Sequence, residues 1–159
     1  LLYRAAVNEY APLGEDGTIR NTVTVSGGTL TQSVTAEATV PVLAGPDLRI
    51  SKSLCPSTVV ENGTLRYTFN LYNDGNSAAA AGDNVVLSDT FNPILRNLTV
   101  TYNGTTLNSP ADYTYDETTG AFATVPGVIT VPAATYSQSA TGVWTVDPGT
   151  ATVTDTGTI

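Results

Sequence analysis

The sequence has 159 residues with 14 acidic and 6 basic side chains, a net charge of −8, and neither His nor Met. That length suits one ordinary domain plus an extension. The acidic balance argues against a nucleic-acid surface and against attraction to anionic membranes, and no run of about 18 apolar residues is available to span a bilayer.

Thr, Val, Ala, Ser, Asn and Gly dominate, which favours strands and turns over helices. In the N-terminal extension, strands are expected over Leu2 to Tyr10, Thr18 to Ser26 and Ser33 to Val42, with a turn at Gly14 to Gly17. These strands are too few to bury their own apolar faces. Ala44-Gly45-Pro46 marks the boundary, so residues 1–46 read as extension and linker, and residues 47–159 as a domain. There, Leu48 to Leu54 alternate with period two, followed by Leu65, Tyr67, Phe69 and Leu71. Ala78 to Ala81 is short and flanked by Asp74-Gly75 and Gly82-Asp83, so it reads as loop. Further strands are expected over Val85 to Leu87, through Leu98, Val100 and Tyr102 into the hairpin turn Asn103-Gly104, and at Tyr113 and Tyr115. A longer turn to Gly120 leads to Ala121 to Val125, then Val128 to Val131, Val143 to Val146 and Ala151 to Thr154. Short strands at this spacing predict an all-β fold, an immunoglobulin-like β-sandwich.

Lys52, the single lysine, breaks the apolar face of Leu48, Ile50 and Leu54. An inward ammonium costs several kcal/mol unless something pairs with it or neutralises it. Asn21 interrupts Ile19, Val23 and Val25 in the same way, and Asp89 interrupts Val85, Leu87 and Phe91. A one-residue slip in register would turn Lys52 to solvent. Read from alternation alone, the expected arrangement is a Lys52–Asp89 ion pair with Asn21 as a hydrogen-bonding neighbour.

The segments Pro46 to Ser53, Gly63 to Phe69, Asn73-Asp74-Gly75 and Val85 to Phe91 resemble the DUF11 conserved-repeat family, Ig-like modules of cell-surface and fibre proteins. The resemblance covers residues 47–159 as one repeat, and residues 1–43 as the last two strands of a preceding one. Gly17-Thr18-Ile19 opens such a strand and Gly157-Thr158-Ile159 stands at the other end of the chain, a short and unspecific repeat. The pattern therefore implies a module short of its last strand that carries a spare one in its extension. Donor-strand complementation follows: the extension of one copy, through Ile19, Val23 and Val25, fills the open edge of the next. A frayed fragment of a longer repeat protein would look the same.

In the family pattern Lys52, Asn21 and Asp89 fall on positions that resemble a pilin-type isopeptide triad. The resemblance implies an amide between Lys52 of one subunit and Asn21 of its neighbour, with Asp89 relaying protons, formed once rather than in turnover. It also implies a homopolymeric structural protein at the cell surface, or else a passive spacer or an adhesin module that binds a surface glycan or host receptor. The absence of a signal peptide and of Met fits a processed or excised chain.

Other features carry less. With no His and one Cys, the usual zinc and Cys/His catalytic sites are excluded; no enzyme activity, cofactor or metal is expected. Cys55 is expected to end a strand, partly buried, with an intermolecular disulfide as the alternative. Asp74, Asp83 and Asn84 flank a loop without the spacing of a calcium site, and Asp112, Asp116 and Glu117 read as a solvated hairpin end. Trp144 and Tyr136 read as packing residues rather than a sugar platform, and Asn62, Asn97 and Asn103 fit glycosylation sequons.

Overall fold

The computed structural model describes residues 18–159 together with Leu2, Arg4 and Ala6. Those three residues apart, the strand expected over Leu2 to Tyr10 and the turn at Gly14 to Gly17 lie outside the described residues. The chain divides after Ala44 into two compact units, Leu1–Ala44 with Gln138–Trp144, and Gly45–Ser137 with Thr145–Ile159.

In the first unit β1 (Thr18–Val25) and β2 (Val34–Pro41) form an antiparallel hairpin. Its register sets Ile19 opposite Val40, Asn21 opposite Ala38, Val23 opposite Ala36 and Val25 opposite Val34. Residues directly opposite in an antiparallel ladder share a face. One face is therefore apolar apart from Asn21. The other carries Arg20, Thr22 and Glu37, with Arg20 Nη1 at 3.1 Å from Glu37 Oε1.

The second unit is nearly all-β, with two antiparallel sheets sharing one core, the arrangement of a β-sandwich. Its strands are β3 (Leu48–Cys55), β4 (Thr64–Asn73), β5 (Ser88–Thr90), β6 (Arg96–Tyr102), β7 (Thr105–Thr106), β8 (Tyr113–Tyr115) and β9 (Ala121–Thr124). After them come a small two-stranded sheet, β10 (Thr135–Gln138) with β11 (Trp144–Asp147), of which Gln138 and Trp144 count with the first unit, and finally β12 (Gly149–Thr158). One sheet runs β3-β4-β12-β6-β7 and the other β5-β9-β8. The alternation of β4 is strict: Leu65, Tyr67, Phe69, Leu71 and Asn73 are buried, and the residues between them are not. Strand β12 repeats it with Ala151, Val153 and Asp155. Phe91 joins the two layers, its ring centroid 5.0 Å from Tyr67 on one side and 5.8 Å from Phe122 on the other.

Three expectations from sequence shift. Val128 to Val131 is not a strand, although Ile129 and Val131 are fully buried. Pro126-Gly127 precedes it, Pro132 follows it, and its one ladder contact is a bridge between Val131 and Ala79. The Ala-rich loop thus contributes a buried residue, Ala79, before a 3-10 turn at Ala81–Asp83. Over Val85 to Leu87 the alternation holds, but the ladder begins at Ser88. The reason is that the Leu87 amide donates to the Thr124 hydroxyl at 3.0 Å, and the Thr124 amide to the Leu87 carbonyl at 2.9 Å. Finally, Gly157-Thr158-Ile159 does not open a strand; Gly157 and Thr158 finish the ten-residue β12.

Asn73 anchors one end of the sandwich. It is fully buried, its Oδ1 accepts from the Asp47 and Gly75 amides, and its Nδ2 donates to the Ser77 and Pro132 carbonyls. Gly75 must pass close to the linker there, since a Cβ on it would stand 2.3 Å from the Gly45 carbonyl oxygen. Asn73→Ala would strip four backbone groups of their partner, at about 1 kcal/mol or more each where water cannot replace it. We expect a loss of about 3 kcal/mol or more in urea unfolding; a loss under about 1 kcal/mol would show that water takes over the cluster.

Candidate functional site

Strand β3 edges the five-stranded sheet, and β5 edges the three-stranded one. Their register brings Lys52 opposite Phe69 on β4, and Asp89 opposite Phe122 on β9. The Lys52 ammonium donates to Asp89 Oδ2, so a single ion pair ties the edge of one sheet to the edge of the other. Asp89 Oδ1 accepts the Thr90 amide at 2.9 Å, which fixes the carboxylate. The Lys52 Nζ lies over the rings of Tyr67, Phe69 and Phe91, 4.7, 5.4 and 5.8 Å from their centroids. Aromatic faces attract a cation through their quadrupole, so the ammonium is held by rings below and by carboxylate at its tip.

Lys52 and Asp89 therefore come together as alternation suggests. The desolvation expected of Lys52 is another matter, because its side chain keeps 42 % of its surface exposed. Every residue of β3 is exposed, including Ile50 at 55 %. The face is inward by register and open in fact: among the described residues no strand covers the outer side of β3. Cys55, at its end, is exposed rather than partly buried.

The buried charge of the site is Asp155, which the sequence reading stopped short of. It is fully buried on β12, opposite Tyr67 on one side and Val100 on the other, and neither carboxyl oxygen has a hydrogen-bond partner. Burial, and secondarily the Asp89 charge, push its carboxyl up to about 7, against the opposing pull of Lys52. Tyr113, on β8, is raised by its own burial and then by the Asp155 charge. The signal was in the sequence, since Ala151, Val153 and Asp155 continue one alternation, with Asp155 one residue past the expected strand end.

Asn21 lies in the first unit, at the middle of the apolar hairpin face. Val23 and Val25 beside it are 55 % and 58 % exposed, and Ile19 is half-buried. Val34 and Val40 on β2 extend the same exposed stripe.

The weaker candidates are engaged elsewhere. Asp74 pairs with Arg49, which lowers its carboxyl, and Asp83 accepts the Ala80 amide. Among the described residues no three His, Cys, Asp or Glu side chains converge as metal ligands. Asp116 is no idle solvated group: the Thr118 hydroxyl and amide and the Thr119 hydroxyl hold its carboxyl down at about 2. Tyr136 donates to the Asp74 carbonyl at 2.6 Å, and Asn62, Asn97 and Asn103 all have positive φ, Asn97 within β6. Among the described residues no helix is long and apolar enough to cross a membrane.

Fold and site together define an all-β sandwich with an open edge, a lysine ion-paired to one carboxyl across it and a second carboxyl buried on β12 of its own sheet, and an amphipathic hairpin. Comparison with family models, with curated proteins and with solved structures finds no match.

Proposed function

We propose that this chain is a structural subunit of an extracellular, surface-associated filament, in which the β1–β2 hairpin of one copy occupies the open edge of the next. One observation carries the reading: two solvent-exposed apolar faces among the described residues, each interrupted by a single polar residue. The hairpin presents Ile19, Val23, Val25, Val34 and Val40 around Asn21, while β3 presents Leu48, Ile50 and Leu54 around Lys52. A two-stranded hairpin is marginal in water by itself, and an exposed apolar stripe marks an interface. A head-to-tail contact between unlike surfaces that does not close generates a fibre.

Placing one face on the other brings the Asn21 carboxamide to Lys52. The Lys52 amine then attacks Cγ of Asn21, a C–N bond forms, and the Asn21 amide nitrogen leaves as ammonia. Asp89, already in contact with Nζ, is the base that takes the ammonium proton. Docking holds the two groups at an effective concentration that can reach about 10⁵ M or more, which replaces turnover machinery.

The test is denaturing electrophoresis with intact mass on the concentrated protein. A boiled ladder, each link lighter by one ammonia, is expected from the wild type. Lys52→Ala should assemble without the ladder, and Val23→Asp should not assemble, because a charge would enter the docked face. A chain that stays monomeric at high concentration would instead be a spacer or adhesin module.

A further inference from the structure

The site holds two carboxyls in opposite environments, and the reaction above uses only one. Asp89 sits at the rim, ion-paired and anchored by a backbone amide. Asp155 sits beneath, fully buried with both oxygens unpartnered. A buried carboxyl without a partner costs stability, so its place here requires a compensating use. The register shows what that use can be. Asp155 is directly opposite Tyr67, whose ring lies under the Lys52 ammonium, so the carboxyl is on the same face of the sheet as that ring, and its electrostatic interaction with Lys52 and Asp89 places it near the ion pair.

We propose that Asp155 is the general acid of the site: it donates the proton with which the Asn21 amide nitrogen departs, while Asp89 acts as base toward Lys52. The inference rests on the strand-exchange reading and assigns its proton traffic. Nζ first loses one proton to Asp89. It then attacks Cγ, and the C–N bond to the side-chain NH2 breaks as the Asp155 O–H proton moves to that nitrogen, releasing ammonia. The second Nζ proton returns to the Asp155 carboxylate, and ammonia accepts the proton held by Asp89. Lysine ammonium plus carboxamide thus give a secondary amide plus ammonium, and both aspartates end as they began. Separating two like groups into an acid and a base by environment is how one site does both tasks near neutral pH.

The groups facing Asp155 are Lys52 on β3, Tyr67 on β4, Asp89 on β5 and Tyr113 on β8, so Asp155→Asn removes the acidic O–H while keeping shape. The experiment follows light scattering, boiled multimers and intact mass for the wild type, Asp155→Asn and Asp89→Asn across pH. In Asp155→Asn, scattering should match the wild type while linkage slows by about 100-fold or more. Wild-type linkage should fall as pH rises past about 7, a limb absent from the variant. Equal linkage rates in Asp155→Asn and the wild type, or a wild-type profile with no falling limb, overturn the assignment but leave the filament intact. A wild type that assembles without any covalent link removes the amide reading and this assignment with it. So does a monomer lighter by one water, which would make a carboxyl of the same chain the acyl donor.

Discussion

Asp155→Asn is expected to be more stable than the wild type at pH 8, by up to about 4 kcal/mol, and to lose most of the wild type's pH dependence between about 4 and 7. The Asp155 carboxyl is raised from an ordinary 3.8 to about 7 in the fold, mainly by burial. A carboxyl raised in this way contributes nothing unfavourable while it is protonated in both states, below about 4. Above that the unfolded chain ionises freely and the folded chain does not, so stability falls until the folded group also ionises near 7. Asp116, held down at about 2, and Asp74, also lowered, act in the opposite direction: their contribution is lost as pH falls through the acid range. Maximum stability should therefore lie near pH 4 to 5, roughly between these two windows. Urea unfolding at pH 5 and pH 8 for both proteins measures it. A wild type at least as stable at pH 8 as at pH 5 would mean that Asp155 has found a partner.

Phe91→Ala should cost about 3 to 5 kcal/mol, the largest loss expected from any one ring in the sandwich. Phe91 is 1 % exposed and is the point where the sheets meet, stacked on Tyr67 and in contact with Tyr115 and Phe122. Truncation leaves a cavity between two layers whose strands are held by their own ladders and cannot collapse to fill it. Phe91→Leu should cost less, since it refills much of the volume. Guanidinium unfolding gives the comparison, and a loss below about 1 kcal/mol for Phe91→Ala would show that the layers close. Because Lys52 rests on this ring, Phe91→Ala should also slow linkage by loosening the amine.

Much of the site was legible as interrupted alternation. A strand's side chains alternate whatever it packs on, so Lys52, Asp89 and Asn21 could be assigned to faces without knowing the neighbours of their strands. Asp155 obeys the same rule and was missed because the strand was read only to Thr154; the Thr-rich sequence around it carries no strong apolar signal. The strand misread at Val128 to Val131 shows the reverse case. Apolar residues there are buried by loop packing, and burial without a ladder partner does not make a strand.

Composition and periodicity by themselves determined the all-β class, most strand positions, the apolar stripe on β1 and the odd lysine on β3. These are local properties, set by side-chain alternation and turn chemistry within a few residues. Only the tertiary structure decided that the expected Lys52–Asp89 pair joins the edges of two different sheets, that β3 is left exposed, and that the desolvated group is Asp155 rather than Lys52. Desolvation depends on how many layers surround a residue, and β12 is flanked by β4 and β6 while β3 stands at an edge. Strand order is set by pairing across the whole domain, which no local pattern encodes.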